Sequence, residues 1–235
     1  MAWIPPTYPE TYVLRYGGME RRIVFRHGSG DWGVIYEVEH GCYSRHLPSD
    51  ARVVVDLGAG IGVFTLLASM IYPEAKIFSY ECEPACYGLL VHNVVMNNLE
   101  DRVKTYPYAV TGSRQIRRLN IDLNLQGVMG SSLVWGEHGF QGKLDVKCVT
   151  LEDVFLMNGL KRIDLLKADI EGSEHEALRN PAIKHVGAIT MEVHGFRDEA
   201  ERLLGFLRDS GFKVEVVEDR DERFRIVDAW REGVG

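Results

Sequence analysis

Residues 53–64 of this chain read Val53-Val54-Val55-Asp56-Leu57-Gly58-Ala59-Gly60-Ile61-Gly62-Val63-Phe64. The β-branched run predicts a buried strand that ends at the carboxylate of Asp56, and the apolar residues 63–72 predict a helix. A glycine turn between a strand and a helix lets a ligand approach bare backbone at the carboxyl end of a parallel sheet. The stretch therefore predicts a nucleotide-type binding site within an α/β fold.

The spacing of the glycines distinguishes this turn from the usual dinucleotide-binding turn. Its pattern is D-x-G-x-G-x-G, whereas the dinucleotide fingerprint is G-x-G-x-x-G and needs no acid before it. A carboxylate just before the glycines would repel a pyrophosphate and attract an amino group. The pattern thus favours a ligand that carries a cationic group.

Composition and charge limit the class of protein. The 235 residues are 46% hydrophobic and 26% charged, as expected for one soluble globular unit with a real core. A net charge of -7 argues against a broad nucleic-acid face or an anionic membrane surface. The four cysteines include no C-x-x-C pair, and residues 53–72 carry an acid and three glycines. We therefore expect a cytoplasmic protein without a membrane span, a zinc knuckle or a redox motif.

The order of predicted elements indicates the architecture. Residues 1–50 form a mostly β lead-in with a hairpin at Gly17-Gly18, and residues 34–38 fit either a strand or a helical turn. From 51 to 235 strands and helices alternate, which predicts a doubly wound, mostly parallel α/β sheet. Residues 111–150 interrupt this alternation as an insertion or flap. Parallel strands are predicted at 53–55, 76–81, 103–110, 163–168 and 188–194.

The last two predicted strands, 212–217 and 224–227, are separated by a turn too short for a crossover helix. This final pair must therefore be antiparallel. We expect an antiparallel carboxy-terminal strand at the edge of the sheet.

Polar residues end the predicted strands, and in a parallel sheet these ends share one rim. Glu81 is the carboxylate placed to accept both hydroxyl protons of a ribose. Asp169 begins an acid-rich segment with Glu171, whereas Glu174 fits the first turn of a helix. His194 fits a general base or a structural histidine equally well.

Three segments together resemble the FkbM family of S-adenosylmethionine-dependent methyltransferases, of class I. They are residues 53–65, Ser79-Tyr80-Glu81-Cys82-Glu83-Pro84, and Ile163-Asp164-Leu165-Leu166-Lys167-Ala168-Asp169-Ile170-Glu171-Gly172-Ser173-Glu174. The K-x-D-x-E-G part is the most specific. Two positions depart from the family pattern, since Gly60 stands where the family usually has Asn and Cys82 where it usually has Pro.

The resemblance implies a Rossmann-like fold and transfer of a methyl group to a hydroxyl oxygen of a small metabolite or sugar. It places the glycine turn around the methionine part of S-adenosylmethionine, Glu81 on the ribose, and Cys82 and Ala109 beside the adenosine. Asp169 would lie near the transferred methyl group, with Glu171 and His194 as further candidate catalytic residues. The turn residues concerned are Asp56, Gly58, Ala59, Gly60 and Gly62.

Several alternatives stay open at this point. Asp169, Glu171 and Glu192 could hold a divalent cation instead of supplying a base. An RNA methyltransferase could use a phosphate track of Arg114, Arg117 and Arg118 together with the arginines of the N-terminal lead-in, although the acidic balance disfavours it. An NAD-dependent oxidoreductase and a catalytically silent binding module are the remaining alternatives.

Overall fold

The computed structural model describes residues 8–43, 45–121, 132–134, 142–220 and 222–232. Strands β1 (Tyr8–Tyr16) and β2 (Met19–His27) pair antiparallel through the Gly17-Gly18 turn, so the predicted hairpin is confirmed. Residues 34–38, which fitted two structures, belong to helix α1 (Asp31–Glu39). The carboxylate of Asp31 accepts bonds from the backbone N–H and guanidinium of Arg26, which ties this helix to the hairpin.

The remaining elements alternate as the sequence predicts. In chain order they are β3 (Val53–Leu57), α2 (Val63–Ile71), β4 (Lys76–Tyr80), α3 (Pro84–Met96), β5 (Val103–Tyr106), β6 (Ala109–Val110), β7 (Gln115–Ile121), β8 (Gly142–Val149), α4 (Leu151–Asn158), β9 (Ile163–Ala168), α5 (Glu174–Ala177), a 3₁₀ helix at Pro181–His185, β10 (Val186–His194), α6 (Arg197–Asp209), β11 (Lys213–Asp219) and β12 (Phe224–Trp230). None of the helices in the described residues is long and apolar enough to span a membrane.

Seven of the described strands form a mostly parallel sheet in the order β11-β12-β10-β9-β3-β4-β5, which confirms the predicted fold class. The antiparallel strand is β12, paired with both β10 and β11. It lies second from the edge, so the expected edge position was wrong. The reason is composition: β12 is apolar and buried, whereas β11 is charged and mostly exposed, and charged strands suit an edge.

The predicted third strand, 103–110, is divided between two sheets. Strand β5 closes the central sheet, while β6 joins β7 and β8 in a small sheet of order β6-β8-β7. Pro107 lies between β5 and β6, and proline cannot donate a ladder hydrogen bond. Strands β7 and β8 of the small sheet belong to the 111–150 insertion. Most of the Gly/Ser-rich stretch predicted at 127–142 lies outside the described residues.

The hairpin is attached to the rest of the fold by Asn93 of α3 and by Asn97, the residue at the C-terminal cap of that helix. Asn93 accepts from Val24 N–H at 2.7 Å and donates to Val24 C=O at 3.0 Å. Asn97 makes the same pair of bonds with Arg22, at 2.9 and 2.6 Å. These side-chain amides therefore bond to the backbone N–H and C=O groups of β2, as the backbone of a neighbouring strand would. Asn93 also donates to Ile61 C=O at 2.8 Å, which connects the hairpin to the glycine turn.

The two faces of the central sheet carry separate apolar clusters. Leu14 and Ile23 of the hairpin pack in the same cluster as Phe64 of α2. Leu166 of β9 and Leu203 of α6 belong to the cluster on the other face. The lead-in thus shares its core with the following residues, and the division into 1–50 and 51–235 stays a prediction.

Candidate functional site

A cleft opens at the carboxyl ends of β3, β4 and β9. One wall is the apolar side of α1, with Val34 and Val38, and the other includes Leu119 and Leu133 from the small-sheet region. Seven residues predicted to bind cofactor line it: Gly58, Ala59, Gly60, Glu81, Cys82, Ala109 and Asp169. The tertiary structure therefore brings these sequence-distant residues to one cavity.

The backbone of the glycine turn packs closely against the backbone of the segment at Asp169. Gly58 has φ +71°, and a Cβ there would lie 1.7 Å from the carbonyl oxygen of Asp169. Gly62 does not line the cleft; its φ of +95° begins α2, and a Cβ there would lie 2.8 Å from Leu90. Gly58 therefore allows the turn to touch the Asp169 segment, and Gly62 allows α2 to pack on α3.

Asp56 is placed differently from the sequence expectation. Its side chain is fully buried below the turn and does not line the cleft. Thr65 Oγ1 donates to it at 2.7 Å, and Lys167 Nζ lies 3.5 Å away. Burial raises the pKa of Asp56, while Lys167 and Thr65 oppose that shift. Asp56 thus supports the turn from beneath, and its contact with a ligand's amino group stays a prediction.

Glu81 follows β4 and faces the cleft. One of its oxygens accepts from Gly60 N–H at 2.8 Å and the other from Glu83 N–H at 2.7 Å. Burial raises the pKa of Glu81 to about 7, against the effect of these two N–H groups. Each carboxylate oxygen has two acceptor sites, so both can still accept a hydroxyl. The geometry suits a pair of adjacent hydroxyl groups.

Cys82 lies beside Glu81, with its thiol in an apolar setting. It packs against the small-sheet cluster, which contains Ala109, Leu119 and Cys148. Burial raises the pKa of Cys82 well above its usual value. The thiol is therefore an apolar wall of the cleft rather than a nucleophile.

Asp169 is half-buried at the end of β9, and one of its carboxylate oxygens is held. Tyr43 donates its hydroxyl to Asp169 Oδ2 at 3.0 Å, and Lys167 Nζ lies 3.8 Å from the same oxygen. Tyr43 itself is 4% exposed and lines the cleft. It lies in a turn after α1 without motif or periodicity, so sequence reasoning missed it.

His194 lies buried between two carboxylates. Its Nδ1 lies 3.1 Å from Glu174 Oε1 and its Nε2 3.3 Å from Glu171 Oε2. Burial alone would lower the pKa of His194, but Glu174 and Glu171 raise it to about 12. A histidine that stays protonated cannot accept a proton, and His194 does not line the cleft. The geometry therefore argues against a general base here, whereas Glu171 does reach the cleft.

Asp169, Glu174 and His194 offer oxygen and nitrogen atoms within 4.8 Å of one another. Both nitrogens of His194 already face carboxylates, and Glu174 Oε1 accepts from Ile170 N–H and Gly172 N–H. A divalent cation would have to displace the proton of His194 from this set. The donors thus fit an internal ion-pair cluster better than a metal site.

Glu192 of β10 lies beside the same cluster. Burial and the nearby charge of Asp169 raise its pKa to about 8, although His194 and Arg220 oppose the shift. Arg220 lies 4.0 Å from Glu192 and 3.0 Å from Glu37 at the end of α1. Glu192 therefore belongs to a network that joins α1 to the turn between β11 and β12.

A family model described as the methyltransferase FkbM domain matches residues 56–214. Methyltransferase sdnD of Sordaria araneosa is 33% identical, over 77% of this chain and 80% of that protein. The 31-O-demethyl-FK506 methyltransferase FkbM of Streptomyces tacrolimicus is 27% identical, over 76% and 80%. Fibrillarin of Aeropyrum pernix, solved with natively bound S-adenosyl-L-methionine, superposes with a TM-score of 0.52 at 13% identity, covering 93% of this chain and 82% of that one. This last match concerns the fold alone.

Proposed function

Because the chain belongs to the FkbM methyltransferase family, we propose that it transfers a methyl group from S-adenosylmethionine to a hydroxyl oxygen of a small metabolite or sugar. One observation carries the proposal. Glu81 and Asp169 face the same cleft from the ends of β4 and β9, the two strands that flank β3 and its glycine turn. The first carboxylate fits a ribose, and the second fits an acceptor hydroxyl.

The residues of the cleft fit the cofactor. Gly58 and Gly60 expose backbone for the methionine part, and Glu81 can accept the two ribose hydroxyls. When bound, S-adenosylmethionine supplies a methyl group whose carbon–sulfur bond breaks with its electron pair staying on sulfur as the acceptor oxygen takes the carbon. The protein's main contribution is alignment, which is worth up to about 7–11 kcal/mol in favourable cases.

Asp169 is the group that we assign as the base. It lies in the cleft with one oxygen held by Tyr43 and with part of its side chain exposed. As the acceptor oxygen bonds to carbon, its proton passes to Asp169 and from there to water. A positioned base of this kind accelerates transfer by roughly 10²–10⁴-fold. Glu171 lines the same part of the cleft, and its catalytic role stays a prediction.

A small-molecule acceptor is favoured over RNA by the charges on the insertion. The three insertion arginines of the RNA alternative each lie against a carboxylate, which competes with a phosphate for the guanidinium. The pairs are Arg114 with Asp153, Arg117 with Glu176, and Arg118 with Asp145. The name of the FK506 relative states an O-methyl acceptor for that protein. This supports hydroxyl methylation here.

Titration calorimetry with S-adenosylhomocysteine tests the cofactor site. Binding should tighten as the pH rises through about 7, because ribose hydroxyls donate to the charged form of Glu81. Glu81→Gln should weaken binding and abolish this pH dependence. Glu152→Gln, on the exposed side of α4, is the control and should change neither. Binding of NAD but not S-adenosylhomocysteine would refute the proposal.

A turnover assay tests the transfer itself. We would follow S-adenosylhomocysteine release with 31-O-demethyl-FK506, glucose and myo-inositol as hydroxyl probes. Asp169→Asn should reduce turnover by about 10²-fold or more while the cofactor still binds. An RNA oligonucleotide as acceptor distinguishes the alternative, and methylation of RNA alone would overturn the small-molecule proposal.

A further inference from the structure

We propose that Tyr43 is a positioning residue that fixes the carboxylate of Asp169, so that its second oxygen faces the acceptor hydroxyl. This inference rests on the proposed function, because it assigns Tyr43 a task in hydroxyl methylation. It names a residue that lies before residues 56–214, the range matched by the family model, in the turn that follows α1.

The ring of Tyr43 is held by contacts with two neighbouring side chains. Phe64 of α2 lies edge-on against it, with ring centroids 6.0 Å apart and an interplanar angle of 85°. Lys167 Nζ lies over the ring, 5.4 Å from its centroid. These two contacts fix the ring, and the hydroxyl then reaches Asp169 Oδ2 at 3.0 Å.

The two oxygens of Asp169 are consequently unequal. Oδ2 accepts from Tyr43 and lies 3.8 Å from Lys167 Nζ. For Oδ1 the described residues provide no such donor, so this oxygen is the one that can take a proton from a molecule in the cleft. A carboxylate at the end of a strand can rotate about its last side-chain torsion, and a hydrogen bond to one oxygen removes that freedom.

The hydroxyl of Tyr43 keeps its proton and remains a hydrogen-bond donor to Asp169. Burial raises the pKa of Tyr43 well above its usual value, and the negative charge of Asp169 raises it further. The tyrosine therefore keeps its proton at neutral pH, and it cannot itself replace Asp169 as the base. Its contribution is orientation, and displacement of a reacting group by about 1 Å can cost roughly 10²-fold.

Tyr43→Phe isolates this role because it keeps the ring and removes only the hydroxyl. Tyr72→Phe is the matched control: Tyr72 is equally buried, and its hydroxyl donates to Pro48 C=O at 2.8 Å, away from Asp169. With the hydroxyl probes named above, Tyr43→Phe should lower kcat by about 10–100-fold. Its affinity for S-adenosylhomocysteine should stay within about twofold of wild type, and kcat is normalised to the calorimetric binding stoichiometry. Tyr72→Phe should leave kcat unchanged.

A double-mutant cycle decides whether Tyr43 acts through Asp169. In the Asp169→Asn background, Tyr43→Phe should cause no further loss of kcat, because the group it positions is already gone. An undiminished kcat in Tyr43→Phe, or an equal loss in both backgrounds, would overturn the inference. Wild-type kcat in Asp169→Asn would instead refute the proposed base, and with it this role. A wild type that binds S-adenosylhomocysteine but methylates no hydroxyl probe would refute the proposed function itself.

Discussion

Lys167 Nζ donates to the carbonyl oxygen of Gly58 at 2.8 Å, which ties strand β9 to the glycine turn of β3 from inside the protein. The same ammonium lies 3.5 Å from Asp56 and 3.8 Å from Asp169. Burial alone would lower the pKa of Lys167, but Asp56 and Asp169 raise it, so the lysine stays charged. The ammonium of Lys167 thus contacts both the glycine turn with its supporting carboxylate, Asp56, and the carboxylate that we assign as the base, Asp169.

Replacement of this lysine should therefore destabilise the protein. Lys167→Met leaves Asp56 buried without its counter-charge, which typically costs about 3–5 kcal/mol in unfolding free energy. Urea unfolding measures the loss. The double variant Lys167→Met/Asp56→Asn should recover part of it, because no unpaired charge remains. A single variant that loses less than about 1 kcal/mol would contradict the role of this ion pair.

Gly58 should tolerate no side chain. The Cβ of Gly58→Ala would meet Asp169 C=O at 1.7 Å, so the turn or the Asp169 segment must move. We expect affinity for S-adenosylhomocysteine to fall by about 10²-fold. Gly88→Ala is the matched control, since a Cβ there meets nothing within 4 Å in the middle of α3. It should stabilise the protein by about 0.5–1 kcal/mol. Unchanged affinity in Gly58→Ala would show that the turn can relax.

The charge on His194 predicts a dependence of stability on pH. Its pKa is about 12 in the folded protein and near 6.5 when unfolded, so the folded state binds more protons between these values. This contribution is fully present below about pH 6.5 and is lost as the pH rises toward 12. Unfolding free energies of wild type and His194→Gln at pH 6, 8 and 10 should converge as the pH increases. The exposed His92→Gln should follow wild type throughout, and parallel curves for His194→Gln would contradict the prediction.

Asn93 and Asn97 should contribute unequally to the stability of the protein. Asn93 is fully buried and bonds both Val24 and Ile61, so Asn93→Ala leaves several polar groups unsatisfied. We expect a loss of about 2–3 kcal/mol and weaker cofactor binding, because Ile61 belongs to the glycine turn. Asn97→Ala removes bonds near the surface that water can replace, and should cost less than about 1 kcal/mol. Equal losses would show that burial does not govern this contact.

Features that depend on neighbours in sequence were predictable from the chain alone. The valine run, the glycine turn and the helix after it follow local periodicity, and so does the hairpin at Gly17-Gly18. The capping box of Thr150 with Asp153 is equally local and is present at the start of α4. The close spacing of the last two strands required them to be antiparallel.

Only the tertiary structure decided which partners the site residues have and which of them are protonated. The carboxylate of Asp56 lies under the turn because Lys167 and Thr65 meet it there, and no local pattern shows that. Two glutamates reach His194 across the rim and raise its pKa, so the imidazole holds its proton instead of accepting one. Tyr43 meets Asp169 across 126 positions of the chain. The pKa of an ionisable group depends on its burial and on the charges around it, and folding assembles both from distant segments.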